Sequence, residues 1–412
     1  MTGPAAGSGP AAGSGAASGS GAAAGSGTAA GSGATVLEVR ELSVRYRPRG
    51  RVVHAVDSLS YSVAAGRTVA IIGESGSGKT ASSRAIMGLL PRSAEVSGSA
   101  VLNGTELIGL GARELRRHRG HDVAMIFQDP ARSLNPTMRV GPQIAEAIRA
   151  HREPGARKVS RAAARERAIE LFRLVRLSAP EQRYREYPHQ FSGGMRQRVM
   201  IAMALSCSPR LLIADEATTA LDVTTQAQIM RLLTGLQAQL GMAILMISHD
   251  LGLAASFADD VVVMYAGRAV ERAPVRELFG NVRMPYTSAL LGAVPRLDRA
   301  AHTPLPVIGG RPPVLSAPPG STPPAGCPFA ARCPRAAERC ERERPELAED
   351  EPGHAYACWY PLAGSAQAAS ASGSAPASGS VSASGSASAS GSAPASGSVS
   401  ASASGSAAGE AR

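Results

Sequence analysis

The chain is short of lysine, aromatic rings, cysteine and long apolar runs, and each shortage removes a class of function. No run of about 18 or more apolar residues occurs in its 412 residues, the length that a membrane-spanning helix needs. Met1–Ala34 is rich in Gly, Ala and Ser but has neither a basic n-region nor an apolar h-region, so it is not expected to act as a signal peptide. A cytosolic chain follows, with any membrane role supplied by partners. Lysine occurs only at Lys79 and Lys158, so the net charge of +11 is carried almost wholly by arginine. The densest group, Arg113, Arg116, Arg117 and Arg119, has no aromatic residues between its members. Single-stranded nucleic acid needs such rings to stack on, so no nucleic-acid partner is expected. The group reads as a solvated helix face, with anionic lipid headgroups as the next alternative. Outside Cys327–Cys358 the only cysteine is Cys207, expected to be a packed thiol at an apolar helix end.

What is present is concentrated in one stretch. Gly73-Glu74-Ser75-Gly76-Ser77-Gly78-Lys79-Thr80 fits G-x-x-x-x-G-K-[ST], between the apolar run Val69–Ile72 and the helix-compatible Ala81–Leu90. That context makes a phosphate cradle. Glycines turn several backbone N–H groups onto one anion, and the following helix adds the partial positive charge of its N-terminus. Lys79 is placed to reach the β- and γ-phosphates, and Thr80 to complete a Mg²⁺ shell. The chain is expected to bind a nucleoside triphosphate.

Downstream, Leu211-Leu212-Ile213-Ala214-Asp215-Glu216 is apolar without alternation and ends in two carboxylates, as a buried parallel strand would. Asp215 is assigned to the metal through water, and Glu216 to the attacking water as general base. Between the two segments, Phe191-Ser192-Gly193-Gly194-Met195 opens another helix, giving a second phosphate-seeking N-terminus. One nucleotide needs one cradle. Two in a chain suggest that each serves a different nucleotide, with two subunits facing head to tail.

In this order the motifs resemble those of the ATP-binding subunits of ABC transporters, over roughly residues 36–294. Ser192-Gly193-Gly194 is similar to the family's signature, although Phe191 and Met195 replace its commonest Leu and Gln. Gln128 in Phe127-Gln128-Asp129-Pro130 matches the Q-loop, which implies contact with Mg²⁺ and the attacking water. Ala220-Leu221-Asp222 matches the D-loop, and His249 in Ile247-Ser248-His249-Asp250 the switch histidine. Tyr46 sits where the family stacks an aromatic ring on adenine, with Arg45 and Arg47 as competing positions. The resemblance implies the catalytic set Glu216, His249 and Gln128, and a nucleotide sandwiched between Gly73–Thr80 and Tyr46 of one subunit and Ser192, Gly193, Gly194 and Asp222 of the other.

Gln128–Pro136, Tyr187-Pro188-His189-Gln190 and Thr218–Thr224 look like the oligopeptide and dipeptide importers of that family, and Pro285-Tyr286-Thr287 and Val294–Asp298 extend the likeness. Ala217 departs from the proline usual after the catalytic glutamate; it removes no reacting group. The subfamily also includes nickel importers. The resemblance implies two transmembrane permease subunits, a second ATP-binding subunit (another copy or a similar chain), an extracytoplasmic substrate-binding protein, and a position on the cytoplasmic face of the membrane. A non-transport ABC ATPase is the rival, but such chains usually carry two cassettes or a long coiled-coil insertion, and neither is present.

The expected fold is α/β: an ABC-type P-loop ATPase core, with a RecA-like parallel sheet and an antiparallel β edge, an α-helical subdomain and a small Cys-rich C-terminal appendage. Val36–Tyr46 and Val52–Val63 alternate as antiparallel strands, while Thr68–Ile72, Val123–Phe127, Leu211–Ala214, Ala243–Ile247 and Val261–Tyr265 form the sheet core. Residues 141–206 read as helical throughout, with Ile169, Phe172 and Val175 on one face. Ile229, Leu232, Leu233, Leu236 and Leu240 form an apolar stripe. The expected division is a tail over 1–34, the nucleotide-binding domain over 35–294, a Pro-rich strap and Cys-rich domain over 295–363, and a tail over 364–412. The last is Ser/Ala/Gly-rich, with Ser374–Ser384 recurring as Ser392–Ser402, and its composition predicts disorder.

Nine prolines fall in Pro295–Gly326, followed by Cys327, Cys333, Cys340 and Cys358 in the spacing C-x5-C-x6-C-x17-C. Four clustered thiols in a cytosolic chain point to metal rather than disulfides. The C-x2-C knuckles typical of zinc ribbons are missing. A [4Fe–4S] cluster, Zn²⁺ and unligated thiols all remain open, with His354 as the one substitute ligand. The tails of peptide-importer ATPases are similar at Gly326–Phe329 and Arg332–Pro334, which implies an iron–sulfur cluster of structural purpose.

Overall fold

In the computed structural model, the described residues are 33–47, 51–129, 133–151, 159–218, 221–295, 304, 306–313, 316–317 and 325–363. The Gly/Ala/Ser-rich stretches 1–32 and 364–412, Pro130–Arg132, Lys158, Thr219, Ala220, Arg296–Asp298 and most of the Pro-rich strap lie outside them.

Thirteen strands are found among the described residues: β1 (Thr35–Tyr46), β2 (Val52–Ala64), β3 (Thr68–Ile72), β4 (Ala94–Leu102), β5 (Thr105–Glu106), β6 (Val123–Ile126), β7 (Leu211–Asp215), β8 (Ala243–Ile247), β9 (Asp260–Tyr265), β10 (Arg268–Pro274), β11 (Ser316–Ala317), β12 (Ala348–Glu351) and β13 (His354–Tyr356). They build two sheets. The first has the order β11-β2-β1-β4-β5 and is antiparallel. The second runs β12-β13-β10-β9-β3-β8-β7-β6, and its β9-β3-β8-β7-β6 portion is parallel. Every residue of β3, β6, β7 and β8 is buried, because helices and the first sheet cover both faces; unbroken apolar runs rather than alternation are the result.

Three sequence expectations change here. The helix after the phosphate-loop motif is Lys79–Ile86 rather than 81–90, since Gly88 turns the chain at φ +58° and a Cβ there would meet Leu115 Cδ1 at 2.6 Å. Residues 141–206 are not continuously helical. The helices described there are Val140–Ala150, Arg161–Leu174, Pro180–Arg183 and Gly193–Ala204, and Arg176 and Ala179 lie between the second and third and have positive φ. Ile169, Phe172 and Val175 are buried together there as their spacing suggests. In the helix Val223–Leu240 the stripe holds for Ile229, Leu232, Leu233 and Leu236, but Leu240 is 39% exposed. It is the last helical residue, where the left-handed Gly241 carries the chain away.

The C-terminal segment does not stand apart from the central sheet. β13 pairs antiparallel with β10 through Glu271↔Tyr356 and Arg272↔Ala355, and β12 pairs with β13. Phe329 is buried against Tyr265 of β9 and Tyr286, with ring centroids 5.3 Å from each.

Candidate active site

The order β3-β8-β7-β6 brings four strand ends side by side, and the loops that leave them form the site. Such carboxyl ends of a parallel sheet are where open α/β folds bind ligands.

The loop after β3 is shaped by glycine. Gly73 has φ +149°, and a Cβ there would lie 2.2 Å from the Met264 carbonyl; Gly78 has φ +101°, and its Cβ would meet the Ala55 carbonyl at 2.3 Å. No other residue fits either position without moving backbone. Gly78 also caps the helix Lys79–Ile86 with no side-chain hydrogen bond, which leaves its first amides free for an anion. Lys79 is buried, and its ammonium donates to the Gly73 and Glu74 carbonyls at 2.8 and 2.9 Å. Burial pushes its pKa down, against the opposing pull of Glu216, Asp215 and Glu74.

Thr80 Oγ1 donates to Asp215 Oδ1 at 2.9 Å, joining the loop to the end of β7. Asp215 is fully buried, and its other oxygen, Oδ2, has no hydrogen-bond partner. Burial raises its pKa, only partly offset by the Thr80 hydroxyl and the charge of Arg84. A buried carboxylate oxygen without a donor, beside a hydroxyl on a phosphate loop, suits a hard divalent cation and its water.

Glu216 follows with φ +48°, a left-handed conformation that costs a non-glycine residue about 1–2 kcal/mol. Its amide donates to the Ile247 carbonyl of β8 at 2.9 Å, which holds the turn. The carboxylate accepts a hydrogen bond from Gln128 Nε2, and His249 Nδ1 lies 3.5 Å from its other oxygen. Gln128 leaves β6, Glu216 leaves β7 and His249 leaves β8, so three residues far apart in sequence meet at one carboxylate. His249 is 57% exposed and free to meet a ligand. Tyr46 is half-buried at the end of β1; burial raises its hydroxyl pKa while the positive charge of Arg84, on the helix after the loop, lowers it. Ser75, Gly76 and Ser77 complete the loop, with Gly76 in open space at φ +81°.

The second cradle is built elsewhere. Ser192 N-caps the helix Gly193–Ala204, its hydroxyl accepting from Met195 N–H at 3.3 Å. A Cβ on Gly194 would meet Thr225 Cγ2 at 2.7 Å, and one on Gly193 would meet Leu221 Cδ2 at 3.3 Å. Asp222 caps the helix Val223–Leu240 by accepting from Thr225 N–H at 2.9 Å. Among the described residues, no hydrogen bond or ion pair joins Ser192, Gly193, Gly194 or Asp222 to the phosphate loop. Between the sheet and the helical region lies an apolar groove lined in part by Met87, Leu89, Met125, Phe127, Met200 and Met203, in which Leu89 and Phe127 are about 40% exposed.

The four clustered cysteines line one small cavity with Met284, Phe329 and Trp359. Burial raises the pKa of Cys327 and Cys333, and pushes Cys358 up to about 11. Neither metal reading finds a preformed ligand set: among the described residues, no three His, Cys, Asp or Glu side chains are grouped to hold a metal ion. His354 is not a substitute ligand. It is buried against Glu271, with Nε2 2.9 Å from Oε1. Cys207 is half-buried, its thiol donating to the His151 carbonyl at 3.2 Å. Of the arginine group, Arg113, Arg116 and Arg117 are exposed, while Arg119 donates to the Met87 and Gly88 carbonyls.

Sequence reasoning missed a contact to the phosphate loop from the far end of the chain. Arg332 pairs with Glu74, and the Tyr286 hydroxyl accepts from the Glu74 N–H at 3.0 Å. No spacing rule connects residues 258 positions apart. The one visible signal is that Glu74 places a carboxylate inside a loop made to bind anions.

The family description "ABC transporter" matches residues 56–219, and "Oligopeptide/dipeptide transporter, C-terminal region" matches residues 270–340. A probable peptide ABC transporter ATP-binding protein of Sinorhizobium fredii is 48% identical over 326 residues, covering 79% of this chain and 94% of that protein. An oligopeptide transport ATP-binding protein of Mycobacterium bovis is 50% identical over 323 residues, covering 78% of this chain and 51% of that protein. The chain thus spans about half the length of the mycobacterial relative. Among solved structures, the dimeric, post-hydrolysis state of an ATP-binding cassette bound to ADP and Pi aligns with a TM-score of 0.51 and 27% identity, covering 58% of this chain and 99% of that one.

Proposed function

The chain belongs to the ABC transporter ATP-binding proteins, in the branch that carries the oligopeptide/dipeptide C-terminal region, and from that premise we propose that it hydrolyses ATP to power import of oligopeptides or dipeptides across the cytoplasmic membrane. The observation that carries the hydrolytic part is the convergence of Gln128 and His249 on Glu216, next to the Thr80–Asp215 bond and the Lys79 loop. The cargo rests on the relatives, which are named for peptide transport; those relatives lend no support to nickel or to a non-transport ATPase.

In this reading the loop amides and Lys79 bind the β- and γ-phosphates, and Tyr46 stacks on adenine. Thr80 and Asp215 hold Mg²⁺ through hydroxyl and water. Mg²⁺, when bound, neutralises charge on the phosphates. Glu216 takes the proton of the attacking water, Gln128 orients that water, and His249 donates toward the γ-phosphate. Ser192, Gly193 and Gly194 serve the nucleotide held by a second ATP-binding subunit, and Asp222 lies at that interface. The apolar groove receives a helix of a permease subunit on the cytoplasmic face, while an extracytoplasmic binding protein delivers the peptide. Among the described residues no helix is long and apolar enough to cross a membrane.

In the same reading Cys327, Cys333, Cys340 and Cys358 would hold a [4Fe–4S] cluster. Support comes from an all-thiol donor set around one cavity. The C-x2-C knuckles of zinc ribbons are missing from the spacing, which favours a cluster over zinc. Among the described residues no three His, Cys, Asp or Glu side chains are grouped to hold a metal ion, so either metal would have to draw the thiols together on loading. Bound iron would also draw the thiols to thiolates, against the upward push of burial. Iron and sulfide analysis after anaerobic purification tests this, and a folded protein free of both ends it.

The transport reading is tested by uptake of a labelled tripeptide in cells lacking this gene. Wild type restores uptake and the Glu216→Gln variant does not. Uptake unchanged by the deletion, with redundant systems removed, would overturn the peptide cargo.

A further inference from the structure

Arg332 grips both carboxylate oxygens of Glu74, Nη1 to Oε2 at 2.9 Å and Nη2 to Oε1 at 3.0 Å. The same guanidinium donates to the Tyr265 hydroxyl at 3.2 Å and to the Ile308 and Gly309 carbonyls at 3.3 and 2.8 Å. Its side chain is only 5% exposed and that of Glu74 22%, so salt and water screen the pair little. The pair is bidentate, the geometry in which arginine holds a carboxylate most firmly. Around it, Tyr265, Tyr286 and Phe329 pack ring against ring, and Tyr286 fixes the Glu74 amide. Arg332 ends the short turn Ala330–Arg332, between Cys327 and Cys333.

Glu74 is the one carboxylate within Gly73–Thr80. Its charge is felt at the Lys79 ammonium. Left unpaired, it would repel an incoming triphosphate and compete for Lys79, because charges a few ångströms apart in a half-buried site interact strongly. Burying an arginine and ordering it on five acceptor atoms of four residues serves this loop at the expense of side-chain entropy.

We infer that Arg332 is a positioning residue for ATP: by pinning and neutralising Glu74 it keeps the phosphate loop receptive to an anionic ligand, which makes the thiol-bearing C-terminal turn part of the nucleotide site. The inference rests on residues 73–80 being the ATP cradle. A staple that merely stabilises the fold differs in one respect. Its loss lowers the unfolding temperature but leaves the ATP affinity of the folded chain at wild type.

The test is calorimetric titration of the full chain with Mg-ATP, with thermal unfolding in parallel. Arg332→Met should weaken ATP binding about tenfold, within the usual range for coupling between linked sites. Arg332→Lys should fall between, since an ammonium cannot hold two oxygens in the arginine geometry. The double variant Arg332→Met/Glu74→Gln should return to within about threefold of wild type, a non-additivity expected of groups in direct contact. In the assembled transporter the loss should fall on KM rather than kcat. Wild-type affinity in Arg332→Met, or a double variant no better than the single, overturns the inference. If Arg332→Met does not fold, Arg332→Lys with and without Glu74→Gln decides by the same two criteria. A wild-type chain that binds no ATP overturns the cradle reading and this inference with it, and so is told apart from a failure of Arg332 alone.

Discussion

The two glycine-rich helix starts of this chain are built alike and connected differently. Gly78 and Ser192 each N-cap a helix, but among the described residues the first adjoins a cluster of polar contacts and the second does not. Around the loop at Gly73–Thr80, Lys79 donates to the Gly73 and Glu74 carbonyls, Thr80 donates to Asp215, and Gln128 and His249 meet at Glu216, the residue after Asp215. Among the described residues, the Ser192 side chain makes the cap to its own helix at Met195 and no other polar contact, and Cβ atoms on Gly193 and Gly194 would meet Leu221 and Thr225. Among the described residues, the first region groups the side chains that the proposed hydrolysis uses, and the second makes no hydrogen bond or ion pair to them. Two copies, or two similar chains, facing head to tail would supply each with its complement.

The sharpest test of the connected half is Glu216→Gln. It should lower turnover by about 10²–10⁴, the usual contribution of a general base, while ATP affinity stays near wild type; near-normal hydrolysis would remove Glu216 from that role. Lys79→Ala follows. Losing a buried charge-assisted contact to phosphate costs about 2–3 kcal/mol, so ATP affinity measured by equilibrium titration should drop roughly 100-fold. Ser192→Arg probes the other half. It should leave ATP binding to the isolated chain unchanged and cut hydrolysis by the assembled transporter at least about tenfold, because it blocks an N-terminal anion site. Weakened binding in the isolated chain would mean that the two halves are not separate. Tyr46→Ala should have the smallest effect, a loss of about 1 kcal/mol in ATP affinity from a missing ring stack, with GTP and ATP then bound more equally.

The same contrast explains what was legible in the sequence. Contiguous features were: Gly73–Thr80 states its own turn chemistry, and the unbroken apolar runs at β3, β7 and β8 announce buried parallel strands. The meeting of Gln128, Glu216 and His249 was expected from family likeness alone, since it depends on β6, β7 and β8 lying in that spatial order. Leu240 was misplaced because periodicity carries no information about where a helix stops, and Gly241 stops it. Residues 141–206 read as continuous helix for the same reason, the turns at Arg176 and Ala179 lacking glycine or proline at the left-handed positions. Arg332 was invisible. Its pairing with Glu74 exists only because β13 joins β10 and Phe329 enters the Tyr265–Tyr286 pocket, carrying a C-terminal turn to the phosphate loop.

The central claim, that the connected and the unconnected helix starts are complementary halves of one ATP site, is tested most directly by ATP-driven association. The Glu216→Gln chain, alone or mixed with its partner ATP-binding subunit, is run by size exclusion with light scattering, with and without Mg-ATP. Association should require Mg-ATP and should disappear when Ser192→Arg is added, even though that chain still binds nucleotide. Association that persists with Ser192→Arg, or that needs no ATP, would contradict the account.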